Sequence, residues 1–378
     1  MRILLDYRPA LRQRTGVGEY AHELVRAVVA SPATASQPSP DVVLFSASWK
    51  DRLDPRVIPG AEVVDRRVPN QALNFAWHRL GWPPIEMLAS GPFEVVHSFH
   101  PLLIPTRGAA QVVTIADLDF LDHPERTVRE IRRDYAALAA KHAARADHVV
   151  AISLTTKEEI HTRLGVPKER ITVCTPGAPD WPRREQEPDR GCLLFLGTLE
   201  PRKNLQVLLD AYERLLQHRP DAPPLVLAGK QPPSASELIA RATRPPLAGH
   251  VELPGYVDDA TRQALYRRAL IFIMPSHNEG FGMPVLEAMT VGVPVVAAKR
   301  GALTEVSLDG VGRFFEPTAT EELTALLIEL LDSPETREGI REAGWRRSHD
   351  VYRWDHSADM LRSAWRQAIE LRSRRLRG

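Results

Sequence analysis

Cysteine is almost missing from this chain: Cys174 and Cys192 are the only two in 378 residues. Two thiols in a chain of this length make no disulfide framework, and no metal-ligand spacing surrounds either one. Small buried thiols are the expectation. Net charge is missing as well. Lys and Arg exceed Asp and Glu by one, so whole-molecule electrostatics gives no reason to expect a nucleic-acid partner. Lysine is scarce in its own right, with seven against 42 arginines. That bias fits a GC-rich genome and carries little functional weight. No run of about 18 apolar residues occurs, so no transmembrane helix is expected. The first residues, MRILLDYRP, run straight into a strand-like segment without signal-peptide architecture. A soluble cytoplasmic protein is the expectation.

What is present is a repeating alternation. At roughly 100–200 residues per domain, the length suggests two domains. Short apolar runs read as buried strands: Arg2–Asp6, Asp41–Ser46, Phe93–His97, Gln111–Ile115 and His148–Ile152. Helical patterns lie between several of them, as at Glu19–Val29 and Val128–Ala144. A second series follows, with strands at Cys192–Leu196, Pro224–Ala228, His250–Leu253, Ile271–Met274 and Pro294–Ala297. Its helices are Leu205–Leu216, Ala260–Arg268, Val285–Thr290 and Glu321–Leu331. Buried parallel strands alternating with helices give an α/β fold with two doubly wound, Rossmann-like domains. The polar, turn-rich stretch around Pro176, Gly177, Pro179 and Asp180, then PRREQEPDRG, reads as a linker over 177–190. The domains are then 1–180 and 190–353, with a terminal helix and tail over 354–378. The Pro/Ser/Ala-rich stretch 31–40 reads as a loop. In open parallel sheets, ligands bind outside the carboxyl ends of the strands. Two such domains facing each other would line one cleft.

The most informative segment is IFIMPSHNEGFGMPVLEAM, Ile271 to Met289. A buried strand leads into a loop with Gly280 and Gly282, and a helix starts at Pro284, a residue suited to the first helical position. The N–H groups around Phe281, Gly282 and Met283 would point outward there, a setting that favours an anionic or polyhydroxyl ligand. Glu279 and Glu287 flank this helix start. A bare pair of glutamates eight apart would read as two solvated carboxylates. Beside a phosphate site they make sense as acceptors from sugar hydroxyls, one for the transferred sugar and one for the nucleotide ribose.

This Glu279–Glu287 spacing resembles the E-x7-E motif of the retaining glycosyltransferase family 4, which has the GT-B fold, and the resemblance extends over nearly the whole chain. It implies that the first Glu lies near the donor sugar, that the second binds ribose, and that the backbone after the first Glu contacts sugar and phosphates. It also implies a terminal helix that crosses back to the N-terminal domain. GTLEPRKNL, Gly197 to Leu205, resembles the family's diphosphate clamp, especially that of mannosyltransferase-like members. Many relatives carry Arg right after the Gly; here that position is Thr198, which leaves Arg202 and Lys203 to supply the positive charge. Fixed cations there would stabilise a departing diphosphate. RQRTGVGEY, Arg12 to Tyr20, matches the loop that contacts donor phosphate and shapes the acceptor pocket, through Gly16 and Gly18. AGKQ places Lys230 at the site. LPGYVDD resembles the loop bordering the nucleotide base, through Tyr256 and Val257. Glu305, in GALTEV, reads equally as a supporting residue or a helix cap.

One segment departs from the pattern. Many relatives have His-Asp in the place where VVTIADLDFLDHPE has Ala116 and Asp117. The catalytic side then falls to Asp117, with Asp119 and His123 as candidates to compensate. His97 and His100, in VVHSFHP, fit the acceptor side or a structural role equally. No metal is expected, because the basic pair supplies the cations, and the nucleotide sugar is a substrate rather than a cofactor. The expected activity is retaining transfer of a hexose, first choice mannose from GDP-mannose, to a glycan or lipid-linked acceptor. A UDP-sugar donor, a nucleotide-sugar epimerase and a non-catalytic binder remain the alternatives. Stretch 126–145 carries six Arg/Lys against two acids. It reads as a solvated face or as a peripheral contact with an anionic membrane at the inner face. The tail LRSRRLRG is similarly basic.

Overall fold

The computed structural model describes residues 1–11, 16–31, 39–124, 129–308 and 310–377. The expected loop over 31–40 and the Arg12–Thr15 part of the glycine loop fall mostly or wholly outside them. So do 126–128 of the basic stretch.

Two compact units divide the chain. Met1–Gly177 with Trp354–Gly378 form the first, and Ala178–Arg353 the second. Among the described residues the first holds seven strands: β1 (Arg2–Asp6), β2 (Asp41–Ala47), β3 (Glu62–Arg66), β4 (Val95–Ser98), β5 (Ala110–Ile115), β6 (His148–Ala151) and β7 (Ile171–Val173). They form one parallel sheet in the order β3-β2-β1-β4-β5-β6-β7. The second unit has β8 (Cys192–Leu196), β9 (Leu225–Ala228), β10 (Val251–Gly255), β11 (Ala269–Met274), β12 (Val295–Ala298) and β13 (Arg313–Phe315). Its parallel order is β10-β9-β8-β11-β12-β13. The central strands are apolar at nearly every position because helices cover both faces. All six residues of β11 are buried.

The main helices of the first unit are α1 (Val17–Ala30), α2 (Arg129–Arg145) and α3 (Leu154–Leu164). Those of the second are α4 (Leu205–His218), α5 (Asp259–Arg268), α6 (Met283–Val291), α7 (Thr320–Asp332) and α8 (Pro334–Val351). The chain then returns to the first unit as α9 (Trp354–Arg377), which packs on α1 and on strands β4 to β7. Its buried residues Ala358, Leu361, Ala364, Trp365 and Ala368 recur at helical spacing. Three alanines keep that face thin, and Trp365 fills the space between. The Trp365 indole N–H donates to His97 Nδ1 at 3.2 Å.

Residues 178–190 correct the expected linker. They are built into the second unit rather than left between domains. The Arg184 N–H donates to Val291 O at 3.0 Å. Arg337 donates to Glu187 at 2.9 Å, and the Arg183 guanidinium lies over Trp345. The polar composition that suggested a linker is there because these side chains pair with charges on α8.

Candidate active site

The second sheet reverses its winding between β8 and β11. From β8 the chain moves outward through β9 to β10, and from β11 it moves the other way through β12 to β13. The segments leaving β8 and β11 therefore part at the carboxyl ends, where such sheets form a crevice. Arg202 and Lys203 follow β8, and Ser276 to Gly282 follow β11.

Backbone and side chains stitch these two loops together. Residues Pro201–Lys203 form a single turn ended by Asn204 in left-handed backbone, φ 54°. The Asn204 amide donates to Pro275 O at 3.1 Å and to Pro317 O at 2.7 Å. The His277 N–H donates to Arg202 O at 2.9 Å. Lys203 Nζ then meets Glu279 Oε1 at 2.6 Å, and Arg202 Nη1 meets Glu279 Oε2 at 3.2 Å. The Ser276 hydroxyl donates to Glu279 Oε1 at 2.6 Å. Arg202 also pairs with Glu200 at 2.6 Å. Burial pushes the Glu279 carboxyl up, but Lys203 first and Arg202 second pull harder and hold it at about 2. An ionised carboxylate in such a place needs partners; removing one from a buried pair costs about 3–5 kcal/mol.

The start of α6 lies in the same loop. Gly282 is its N-cap with φ 101°, and a Cβ there would also press Leu303 at 2.9 Å. Only glycine fits both conditions. The Val285 and Leu286 amides donate to Gly282 O. The amides of Phe281, Gly282 and Met283 precede any intrahelical acceptor. Phe281 is buried edge-on against Tyr352 at 5.4 Å, which anchors the loop. Gly280 completes the turn between Glu279 and Phe281. On the β8 side, Gly197 passes so close to Gly229 that a Cβ on Gly229 would sit 1.8 Å from Gly197 O. That crossing brings Thr198 and Lys230 to adjoining loops, with the Leu199 N–H donating to Lys230 O at 2.8 Å.

Two other expected groups lie at neighbouring strand ends. The Lys230 ammonium lies 5.6 Å over the ring of Tyr256, which is exposed, with half-buried Val257 next in the chain. Glu287 lies along α6, buried, with Oε1 accepting from Arg262 at 3.0 Å and Oε2 from the Tyr266 hydroxyl at 2.8 Å. Glu305 offers its backbone carbonyl to Arg347 and to the Tyr352 hydroxyl. Sequence reasoning missed Ser276, Asn204, Arg262 and Tyr266 as partners. Their only signal was that a buried carboxylate must find donors.

In the first unit the expected residues fall in separate places. Gly16 is exposed at the start of α1, whereas Gly18 is buried. A Cβ on Gly18 would lie 2.5 Å from Pro9 O, so its small size serves helix packing there. His97 is fully buried between Thr114 Oγ1 at 2.8 Å and the Trp365 N–H. Burial holds it neutral, with its pKa down at about 3. Its place is the core, which corrects the acceptor-side expectation. His100 instead joins a cluster that the sequence did not reveal. Asp6, at the end of β1, is fully buried and binds Arg8 through Nε at 2.7 Å and Nη2 at 2.6 Å. His100 Nε2 lies 3.0 Å from the same carboxylate. Burial opposes ionisation of Asp6, but Arg8 and then His100 hold its pKa far below the usual carboxylate range. Asp117, Asp119 and His123 are partly buried after β5, and the Asp119 N–H donates to Asp117 Oδ1 at 3.2 Å. Ala116 O accepts from the Thr156 hydroxyl.

Two family models match successive stretches of the chain: Glycosyltransferase Family 4 over residues 14–180, and Glycosyl transferases group 1 over residues 179–347. The O-antigen chain mannosyltransferase B of Escherichia coli is 27% identical over 97% of this chain and 100% of its own length. Among solved structures, the sucrose-phosphate synthase of Thermosynechococcus elongatus superposes with TM-score 0.75 at 15% identity, covering 98% and 99% of the two chains. Anabaena Alr3699/HepE in complex with UDP-glucose superposes with TM-score 0.67 at 18% identity, covering 96% and 98%. The two parallel sheets and these neighbours give the fold as GT-B, and the chain belongs to the family 4 glycosyltransferases.

Proposed function

We propose that the crevice between β8 and β11 binds the diphosphate of a nucleotide-sugar donor, and that Arg202 and Lys203 stabilise it as the leaving group. The observation that carries this reading is the buried Lys203–Glu279 pair beside the glycine-capped start of α6. An ammonium has three donors, and Glu279 takes one of Lys203's. Cations fixed where charge develops act on the transition state without reorganising. Glu279 holds the donor sugar, Glu287 the ribose, Lys230 and the Tyr256–Val257 turn the nucleotide side. The amides of Phe281, Gly282 and Met283 take the phosphates.

The transferred group is a hexose, with mannose from GDP-mannose as first choice. The mannosyltransferase name of the Escherichia coli relative supports that choice. Transfer proceeds with retention. The sugar–phosphate bond breaks, the acceptor oxygen bonds the anomeric carbon on the same face, and its proton passes to a diphosphate oxygen. The acceptor is a glycan or a lipid-linked glycan, and no metal is required, because the basic pair supplies the charge. The enzyme works in the cytoplasm, touching the inner membrane face through the basic end of α9, where Arg374, Arg375 and Arg377 are exposed. No described helix is long and apolar enough to cross a membrane.

A panel of GDP- and UDP-sugars tests the donor, by thermal shift and then donor hydrolysis with excess EDTA. The matching donor raises the melting temperature by mass action. Changing Arg202→Ala and Lys203→Ala together should lower turnover by at least about 10³. Unchanged turnover in that double variant would end the leaving-group role, and dependence on added divalent ions would end metal independence.

A further inference from the structure

Four arginines gather where residues 178–190 pack against α8 and the end of α6, and three of them have a carboxylate. Arg183 pairs with Glu342 at 2.5 Å and Arg341 with Glu338 at 2.7 Å. Arg337 grips Glu187 through Nε at 2.9 Å and Nη2 at 2.5 Å. Arg184, only 6% exposed, has no carboxylate partner among the described residues. Its Nη1 donates to Ala269 O at 2.5 Å. Its Nε and Nη2 are buried and have no acceptor. Those two nitrogens share one edge of the planar group, the same edge that Arg337 lays on Glu187. Arg341 repeats the shortfall: Nη2 is on Glu338, while buried Nε and Nη1 have no acceptor. Gly292, which ends α6, brings no side chain into this cluster. A Cβ there would lie 3.3 Å from Arg341 Cγ and 3.5 Å from Arg183 Cγ.

We propose that Arg184 and Arg341 form a binding site for an oxyanion of phosphate size, either inorganic phosphate or the phosphoryl end of a phosphate monoester. Two guanidinium forks offer paired N–H groups in the geometry that oxyanions accept. The charge balance asks for the same ligand. A buried cation without a counter-charge is costly. Water can accept its hydrogen bonds but cannot cancel its charge. Here four guanidiniums meet three carboxylates, and Glu342 also serves Arg346 at 2.7 Å. The C-terminal end of α6 adds about half a negative charge, which offsets only part of the excess. Burial lowers the Arg184 pKa to about 10, against the pull of Glu187 and with the push of Arg341, so the group is still charged at neutral pH. The Arg341 side chain keeps 11% exposure, which opens the cluster to solvent. The site is separate from the donor crevice. Arg184 bonds Ala269, where β11 starts, and Val291, where α6 ends. The loop over 276–282 joins the opposite ends of those two elements, so this site stands or falls independently of the donor reading.

Phosphate could also visit the basic pair at 202–203, so the test uses the full chain carrying Arg202→Ala and Lys203→Ala. Calorimetric Kd values are measured for inorganic phosphate and for glucose 6-phosphate, with chloride at matched ionic strength as the control. One ion per chain should bind with Kd below about 1 mM and raise the melting temperature by mass action. Tighter binding of the ester would identify a phosphate monoester as the ligand, and tighter binding of the free ion would identify inorganic phosphate. Adding Arg341→Gln should weaken either probe at least tenfold, as expected when one charged fork is lost. Arg184→Gln should abolish binding; if that buried change prevented folding, Arg341→Gln decides alone. Unchanged affinity in Arg341→Gln would overturn the proposal. So would a Kd of tens of millimolar, which marks an adventitious ion only. Binding seen in wild type but absent once 202 and 203 are changed would place the phosphate at the donor crevice and remove this site.

Discussion

The two units put a buried carboxylate at the same topological place, and treat it differently. In each sheet the winding reverses between two central strands, β1 and β4 in the first unit, β8 and β11 in the second. At the first reversal Asp6 is forked by Arg8 and touched by His100. The side chain of Arg8 is only 6% exposed. Its Nη1 turns to Asn70 and Asn74 at 2.9 and 2.7 Å, and its face rests 4.9 Å over Trp77. That cluster is a brace tying the β1 end to the segment after β3. At the second reversal the side chain of Arg202 is 23% exposed and lies beside the turn entering α6. The same device here holds cations at a glycine-lined crevice. A buried ion pair is therefore not by itself a mark of function; what surrounds the cation decides.

The contrast can be broken first at Arg8. Arg8→Ala leaves the buried Asp6 with only His100 and the backbone N–H of residue 8, without a guanidinium, and the unfolding free energy should fall by about 3–5 kcal/mol in denaturant melts. A loss under about 1 kcal/mol would remove the brace. Lys203→Ala should cost less stability, because Arg202 stays on Glu279, while turnover falls by about 10²–10³. If the costs came out in the reverse order, the division into brace and clamp would be wrong.

Acid sharpens the same contrast. Glu279 is held at about 2 against an ordinary 4.5. A depressed carboxylate stabilises fully above its unfolded value and loses that contribution as pH falls towards its folded one. At roughly 1.4 kcal/mol per pH unit, Glu279 contributes about 3 kcal/mol, lost between pH 4.5 and 2. Asp6 is held lower still, so its share persists to more acid pH. The stability gap between wild type and Lys203→Ala should therefore shrink across that window. A gap constant from pH 5 to 2 would contradict the pairing.

Much of the fold was legible because buried parallel strands announce themselves as apolar runs. The strands that escaped, Glu62–Arg66, Ile171–Val173 and Arg313–Phe315, are edge or three-residue strands with partly exposed positions. Helix α8 escaped because its buried face is Arg337, Ile340, Gly344 and Ser348, with hardly an apolar stripe to read. The E-x7-E loop and the basic turn were legible as local motifs. Their partners were not. Asn204 binds carbonyls 71 and 113 residues away, and Tyr266 reaches Glu287 from another helix. Such pairs are set by tertiary approach, which no local pattern encodes. Asp6 and Arg8 stood in plain view in MRILLDYRP, but nothing local said that the carboxylate would be buried.

The clamp role is tested most directly by a crystal structure of the chain with a bound nucleoside diphosphate. Phosphate oxygens within about 3 Å of Lys203 Nζ and of the amides at 281–283 are the expected result. A diphosphate seated elsewhere on the second unit, with Lys203 still committed to Glu279 alone, would contradict it.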